Sequence, residues 1–267
     1  MKKRLFCILF IVAFLIILIV LPKPWSKPHA INVSIDDVEK TMVELTVDSN
    51  FYKSVFDHPF MQQLWKWHVK YDCVFVLYIY SKMGGVNIRE FPNKYHKELS
   101  EASDWLKFGF HSIEAQFRQS QTDSFDLFVQ AFNAVDRSVE RFASSQSKAR
   151  ALRLHYYYAN REMLSYLHAQ GIKTMLTADD NRCSYSLSDR ENRLLQQGNQ
   201  LVKDSLRFIP TNLRLERIKV PFIDMYKITT DTIVLFTHEW KLNRINRMKM
   251  EYILWYYYHS SSKYIFL

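Results

Sequence analysis

The chain has 267 residues, a formal charge of +9 and a pI near 9.3. That length can hold one large domain with a full core, and three cysteines without a CxxC pair exclude a disulfide framework and a zinc ribbon. The positive charge suits an anionic neighbourhood such as a cell wall or lipid headgroups, but Lys and Arg are spread along the chain, with only a modest cluster from Lys241 to Lys249, so nucleic acid is not expected as a partner.

Met1-Lys2-Lys3-Arg4 is basic, and Leu5 to Leu21 is an unbroken run of 17 uncharged residues. At ~1.5 Å per residue such a run reaches about 25 Å, near the lower limit for crossing a bilayer. No Ala-x-Ala site follows, so residues 1–22 are expected to be an uncleaved signal anchor forming one transmembrane helix. The basic start would stay in the cytoplasm and the carboxyl-terminal domain would lie outside it. Residues 23–30 are Pro-rich and read as a stiff spacer, with Trp25 suited to the membrane interface. The domain proper would then span 31–267.

From there, strand and helix patterns alternate. A strand at 31–37 leads into helical material from Val38 to Tyr71, where Phe56, Phe60, Leu64, Trp67 and Tyr71 share one face at spacings of three and four. Cys73 to Tyr80 is apolar throughout and reads as a buried strand. A polar stretch with a helical pattern covers 87–103. A strand at 106–111 precedes a helix at 125–142, with Phe125, Phe128, Val129, Phe132, Val135, Val139 and Phe142 on one side. A strand at 151–156 precedes a helix at 160–170, with Asn160 as N-cap and Gly171 as the stop. Then come a strand at 173–178, a section at 182–220 with room for a short helix and one or two irregular strands, a short helix at 221–227, a strand at 232–238 and a long terminal helix. One bridge between Cys73 and Cys183 is conceivable, but idle thiols are the simpler expectation. About seven strands, each with a helical connection, predict an α/β fold with a parallel sheet.

Five of these strands end in residues that bind metals or move protons: Asp36-Asp37, His111, His155, Asp179-Asp180 and His238. In parallel α/β folds the chemistry gathers at the carboxyl ends of strands. Endings on both the first and the last strand favour a closed barrel over an open sheet, because closure brings those strands together. Adjacent carboxylates repel unless a cation offsets them, so Asp36-Asp37 suits one metal ligand and one base. The alternative is that one of the two caps the following helix.

In order and spacing, these segments resemble the polysaccharide deacetylase (NodB-homology) family, also called carbohydrate esterase family four, over about Ile31 to Trp240. Ser34-Ile35-Asp36-Asp37 is similar to its Thr-Phe-Asp-Asp motif, and Phe110-His111-Ser112 to its His-Ser/Thr-x-x-His motif. Leu152-Arg153-Leu154-His155-Tyr156 stands where Arg-x-Pro-x is found, Ala178-Asp179-Asp180 in the place of the fourth motif, and Leu235-Phe236-Thr237-His238 is similar to Leu-x-His.

The resemblance implies a distorted (β/α)7 barrel that uses a divalent metal, with zinc the expected ion, to deacetylate a cell-surface or extracellular polysaccharide. Carried over, Asp36 would be the general base, Asp37 and His111 metal ligands, and His238 the general acid. Arg153 would hold the base, and Asp179 or Asp180 would orient His238. Two positions depart from the pattern: Ala115 stands where the second His of motif two belongs, and Asn181-Arg182 replace the Trp after motif four. Glu114 and His155 are the candidates for the missing ligand, against their plainer readings as an exposed helix residue and a hydrogen-bonded interior imidazole. Tyr156 and Trp240 border the expected mouth and could stack on a pyranose ring. A glycan-binding barrel without its metal, or a hydrolase of the same fold acting on another ester or amide, are the alternatives.

Overall fold

Twelve strands carry the fold in the computed structural model, which describes residues 29–116, 124–180, 182 and 184–267. In chain order they are β1 Ala30–Asp36, β2 Phe75–Tyr80, β3 Lys82–Met83, β4 Val86–Asn87, β5 Leu106–Ser112, β6 Ala151–Leu152, β7 Thr174–Thr177, β8 Leu201–Lys203, β9 Leu206–Pro210, β10 Leu213–Arg214, β11 Thr232–His238 and β12 Lys263–Tyr264. The pairing is mostly parallel. One sheet runs β10-β11-β1-β2-β5, with β12 beside β1, and a second runs β6-β7-β9-β8.

The two sheets meet twice. Residues 206–214 pair with β7 through β9 and with β11 through β10, so one length of chain passes from sheet to sheet. On the other side, β5 touches the segment before β6 through a Phe108–Lys148 bridge, and the Tyr78 hydroxyl donates to the Ala151 carbonyl at 2.8 Å. Gly109 makes that crossing possible: a Cβ there would meet the Tyr78 ring at 2.7 Å. Neighbour contacts therefore pass from β1 through β2, β5, β6, β7, the 206–214 segment and β11 back to β1.

β1 is the axis of the site because it is buried on both faces, Ile31, Val33 and Ile35 as well as Asn32 and Ser34. Its register with β11 puts Asp36 beside His238. The helix Phe125–Phe142 begins at Ser124, whose hydroxyl accepts from Leu127 N–H at 3.3 Å. It buries Phe128, Phe132, Val135, Val139 and Phe142, and the first two meet Phe110 of β5 edge to face at 5.6 and 5.7 Å. At about 1.5–3 kcal/mol per buried large side chain, this face pins the strand that ends in His111. The helix Arg161–Ala169 starts on Asn160, which accepts from Met163 N–H at 2.9 Å, and stops at Gly171 with φ +83°.

The expected helix of residues 38–71 is two, Lys40–Val47 and Pro59–Tyr71, and residues 87–103 hold mainly single 3₁₀ turns with a short helix at His96–Glu101. The strand expected at 151–156 ends at Leu152, because Tyr156 and Tyr157 take left-handed φ values of 55° and 56° and turn the chain across the mouth. Cys73 is a buried free thiol, and Cys183 lies outside the described residues. So does the apolar run 5–21; among the described residues no helix is long and apolar enough to cross a membrane.

Candidate metal centre and its flanking acid–base pairs

The two acids that end β1 diverge because Asp37 leaves the extended conformation, with φ 55°. Asp36 is buried, and its Oδ1 accepts from Arg153 Nη1 at 2.9 Å. The same Nη1 donates to Ser34 Oγ at 2.7 Å, Nη2 donates to Thr211 Oγ1 at 3.1 Å, and the guanidinium lies 4.2 Å over the Phe236 ring. Burial works against the charge on Arg153, but Asp36 outweighs it and holds the guanidinium above its ordinary pKa. The two buried charges compensate each other, with Ser34 and Thr211 taking further guanidinium hydrogens, while Arg153 Nε has no hydrogen-bond partner among the described residues.

Asp37 turns the other way, toward two imidazoles. His111 Nδ1 donates to the Arg153 carbonyl at 2.6 Å, which leaves Nε2 as the lone-pair nitrogen of the neutral ring. His155 Nε2 donates to the Ala115 carbonyl at 3.0 Å, which does the same for Nδ1. Those two nitrogens lie 3.2 Å apart, and Asp37 Oδ1 is 3.2 Å from the first and 3.6 Å from the second. Among the described residues these three form a group whose ligand atoms all lie within 4.8 Å of one another.

Three acceptors facing one point need a cation between them. Tetrahedral zinc with ligands at about 2.0–2.2 Å separates them by about 3.3–3.6 Å, and the observed triangle has that size. The donor set also fits: one carboxylate and two imidazoles, each ring fixed by a backbone carbonyl behind it. Without a metal, a proton takes the place. Burial alone would lower His111, but its hydrogen bond to Asp37 and the charges of Asp36 and Asp37 raise it above the ordinary histidine value. His155 is pushed down to about 4 by burial and by the neighbouring His111. Burial would raise Asp37, yet His111, Tyr80 and Trp240 together hold it far below the carboxylate range.

Of the two candidates for the position left by Ala115, the structure brings His155 to Asp37 and His111, while the Glu114 side chain is exposed and outside the group. Ala115 contributes only its carbonyl, as the brace for His155.

At the end of β11, His238 Nδ1 and its backbone N–H both meet Glu216 Oε1 at 2.9 Å, and Thr237 Oγ1 donates to the same oxygen at 3.0 Å. Burial opposes ionisation of Glu216, but its contacts with His238 bring it down to about 2. The expectation that Asp179 or Asp180 would orient His238 is thus corrected. Asp179 pairs with Arg217 at 2.9 Å and lies 3.7 Å from Arg214, while Asp180 pairs with Arg182 at 2.8 Å and Arg217 at 3.0 Å. Asp179 is linked to His238 through Arg214, whose Nε donates to Glu216 Oε2 at 3.1 Å.

Glu216 was not legible as a site residue, because it stands on a 3₁₀ turn after the two-residue β10. The alternation Leu213-Arg214-Leu215-Glu216 is the signal that could have found it, with both leucines buried and the polar residues on the other side. Tyr80 was also missed. It closes an all-apolar strand, yet its hydroxyl donates to Asp37 Oδ1.

Tyr156 is 43% exposed and Trp240 64% exposed. The first packs on the His155 ring with centroids 4.2 Å apart, and the second lies 5.4 Å from the His238 ring. Both expected aromatic residues thus border the group.

No family model matches the chain, and no curated protein does. Among solved structures it is similar to two proteins that are each described as a "putative polysaccharide deacetylase". One is from Mycobacterium smegmatis, with a TM-score of 0.49 and 11% identity over 86% of this chain and 85% of that one. The other, from Bordetella bronchiseptica and described as involved in O-antigen biosynthesis, has a TM-score of 0.40 and 11% identity over 87% and 86%.

Proposed function

We propose that the protein is a metal-dependent hydrolase that removes acetyl or related acyl groups from a polysaccharide, built on a distorted (β/α)7 barrel. One observation carries the reading: the ligand atoms of Asp37, His111 and His155 form a zinc-sized triangle, flanked by a buried Asp36–Arg153 pair and a Glu216–His238 pair. Asp37, His111 and His155 would hold the ion. When bound, zinc supplies a Lewis acid for the acyl carbonyl and lowers the pKa of a water.

The chain's own residues do the rest. Asp36 is the carboxylate placed to accept the proton of the attacking water, and Arg153 fixes its position from inside the fold. Glu216 takes the Nδ1 side of His238, which sets the tautomer and leaves Nε2 to hand a proton to the departing amine or alkoxide. The exposed faces of Tyr156 and Trp240 offer stacking surfaces for a sugar ring at the mouth. With His155 in third place, nothing requires a lost metal, so the non-catalytic alternative has no observation in its favour.

The test is acetate release from N-acetylated chitooligosaccharides, peptidoglycan fragments and O-acetylated xylan. The expected result is release from at least one of them, abolished by chelator and restored by zinc. A protein that binds zinc yet releases acyl groups from none of the three contradicts the reading.

We also infer that Leu5–Leu21 anchors the protein, single-pass, with the domain outside the cytoplasm. Carbonate extraction should leave the full chain in the membrane pellet, and deletion of residues 2–22 should release it. Extraction of the full chain by carbonate alone would refute the anchor.

A further inference from the structure

Trp240 has an exposed ring face, yet its indole N–H points inward and donates to Asp37 Oδ2 at 3.0 Å. The other oxygen of that carboxylate, Oδ1, takes the Tyr80 hydroxyl and faces the two imidazoles. Asp37 therefore has one oxygen for the metal position and one held from outside by a residue of the loop after β11. An exposed indole has many rotamers available, and a single hydrogen bond would not hold it. Its neighbour explains how it stays: the Glu239 carboxylate accepts from Lys40 N–H at 3.0 Å, from Thr41 N–H at 2.9 Å and from the Thr41 hydroxyl.

Two of those donors are free amides at the start of the helix Lys40–Val47, whose own preceding residue, Glu39, gives no side-chain cap. A carboxylate from about 200 residues along the chain supplies it instead. The contact ties the turn Glu239–Lys241 to the turn that carries Asp37. Lys241 adds a cation–π contact to the same residue, with its ammonium 4.2 Å from the centroid of the Trp240 ring.

Resting on the metal reading of Asp37, we propose that Trp240 and Glu239 act as one positioning unit for the metal ligand: Glu239 docks the β11 turn on the first helix, and Trp240 then fixes the carboxylate of Asp37 so that Oδ1 alone faces the ion. Trp240 thereby has two jobs, its edge for Asp37 and its exposed face for the sugar. Removing the N–H while keeping the aromatic face separates them.

The experiment measures the zinc dissociation constant of the full chain by competition with a chromophoric chelator, for wild type, Trp240→Phe, Glu239→Ala and the double variant, with the melting temperature of each recorded. Outer partners of metal ligands are typically worth about 10- to 100-fold in affinity. Trp240→Phe should weaken zinc binding by about 10-fold or more at an unchanged melting temperature, and Glu239→Ala should weaken it in the same direction. Glu239→Gln, which keeps an acceptor oxygen, should recover part of the loss. The double variant should be little weaker than Trp240→Phe alone, since both changes act on one contact path. Wild-type affinity in Trp240→Phe, or full additivity of the two losses, overturns the proposal while leaving the hydrolase reading intact. A wild-type chain that binds no zinc overturns both.

Discussion

Asp36-Asp37 and Asp179-Asp180 are the same dipeptide in the same kind of place, at or just past the carboxyl end of a parallel strand, and they meet different partners. The first pair sits between β11 and β2 in the middle of a sheet. Its members meet a buried guanidinium on one side and two imidazoles with inward lone pairs on the other. The second follows β7 and meets three arginines, Arg182, Arg214 and Arg217, two of them about half exposed. An acid pair at a strand end takes its role from what the neighbouring strands deliver. A guanidinium has donors only and cannot share a cation with the carboxylate it pairs; imidazoles braced by carbonyls keep inward lone pairs that can.

The strongest way to break the contrast is at the first pair. Asp37→Ala should remove a zinc ligand and cost at least about 10⁴-fold in turnover, roughly 5 kcal/mol on the barrier, measured as acetate release. Next, Arg153→Met leaves the Asp36 charge buried and unpaired, and unfolding in urea should show a loss of about 3–5 kcal/mol. A loss below about 1 kcal/mol would mean that water reaches this pair and that the interior at the end of β1 is not dry.

Glu216 sharpens the comparison, because it makes the contact with His238 that the resemblance implied for Asp179 or Asp180. Its folded pKa of about 2 lies below its ordinary 4.5. The sign follows from the depression: the unfolded chain binds the proton more readily, so this group stabilises the fold above pH 4.5 and loses that contribution as pH falls from 4.5 toward 2. The amount is on the order of 3 kcal/mol. Glu216→Gln should flatten the stability curve in that window and also lower turnover by about 10- to 100-fold through the misplaced His238. An unchanged curve would show that Glu216 has no special tie to His238. Smallest of all, Asp180→Asn removes a partly exposed pair and should change stability by about 0–1 kcal/mol with turnover within a factor of about two. A large loss of turnover there would restore motif four to the chemistry.

The fold's main elements were legible where periodicity is strong. Phe125–Phe142 has helical spacing of its aromatic residues and β11 is a continuous run, so their limits could be read from the residues, while the apolar run that gives β2 starts two residues early, at Cys73 instead of Phe75. The group was legible as residues at or near strand ends, with His155 a candidate although β6 stops three residues before it. Which of His155 and Glu114 would serve was not, because it depends on the left-handed turn at Tyr156-Tyr157 and on the Ala115 carbonyl reaching back to His155. Backbone groups carry no signature in a sequence. The partners of Asp179 and His238 were hidden for a related reason: Arg214 and Glu216 belong to a two-residue strand and a single turn, too short to show a period.

The central claim is tested most directly by zinc stoichiometry on purified wild type, His155→Ala and Glu114→Ala. One ion per chain is expected in wild type and in Glu114→Ala, and none retained by His155→Ala at micromolar zinc. Full occupancy in His155→Ala, or loss in Glu114→Ala, would contradict it.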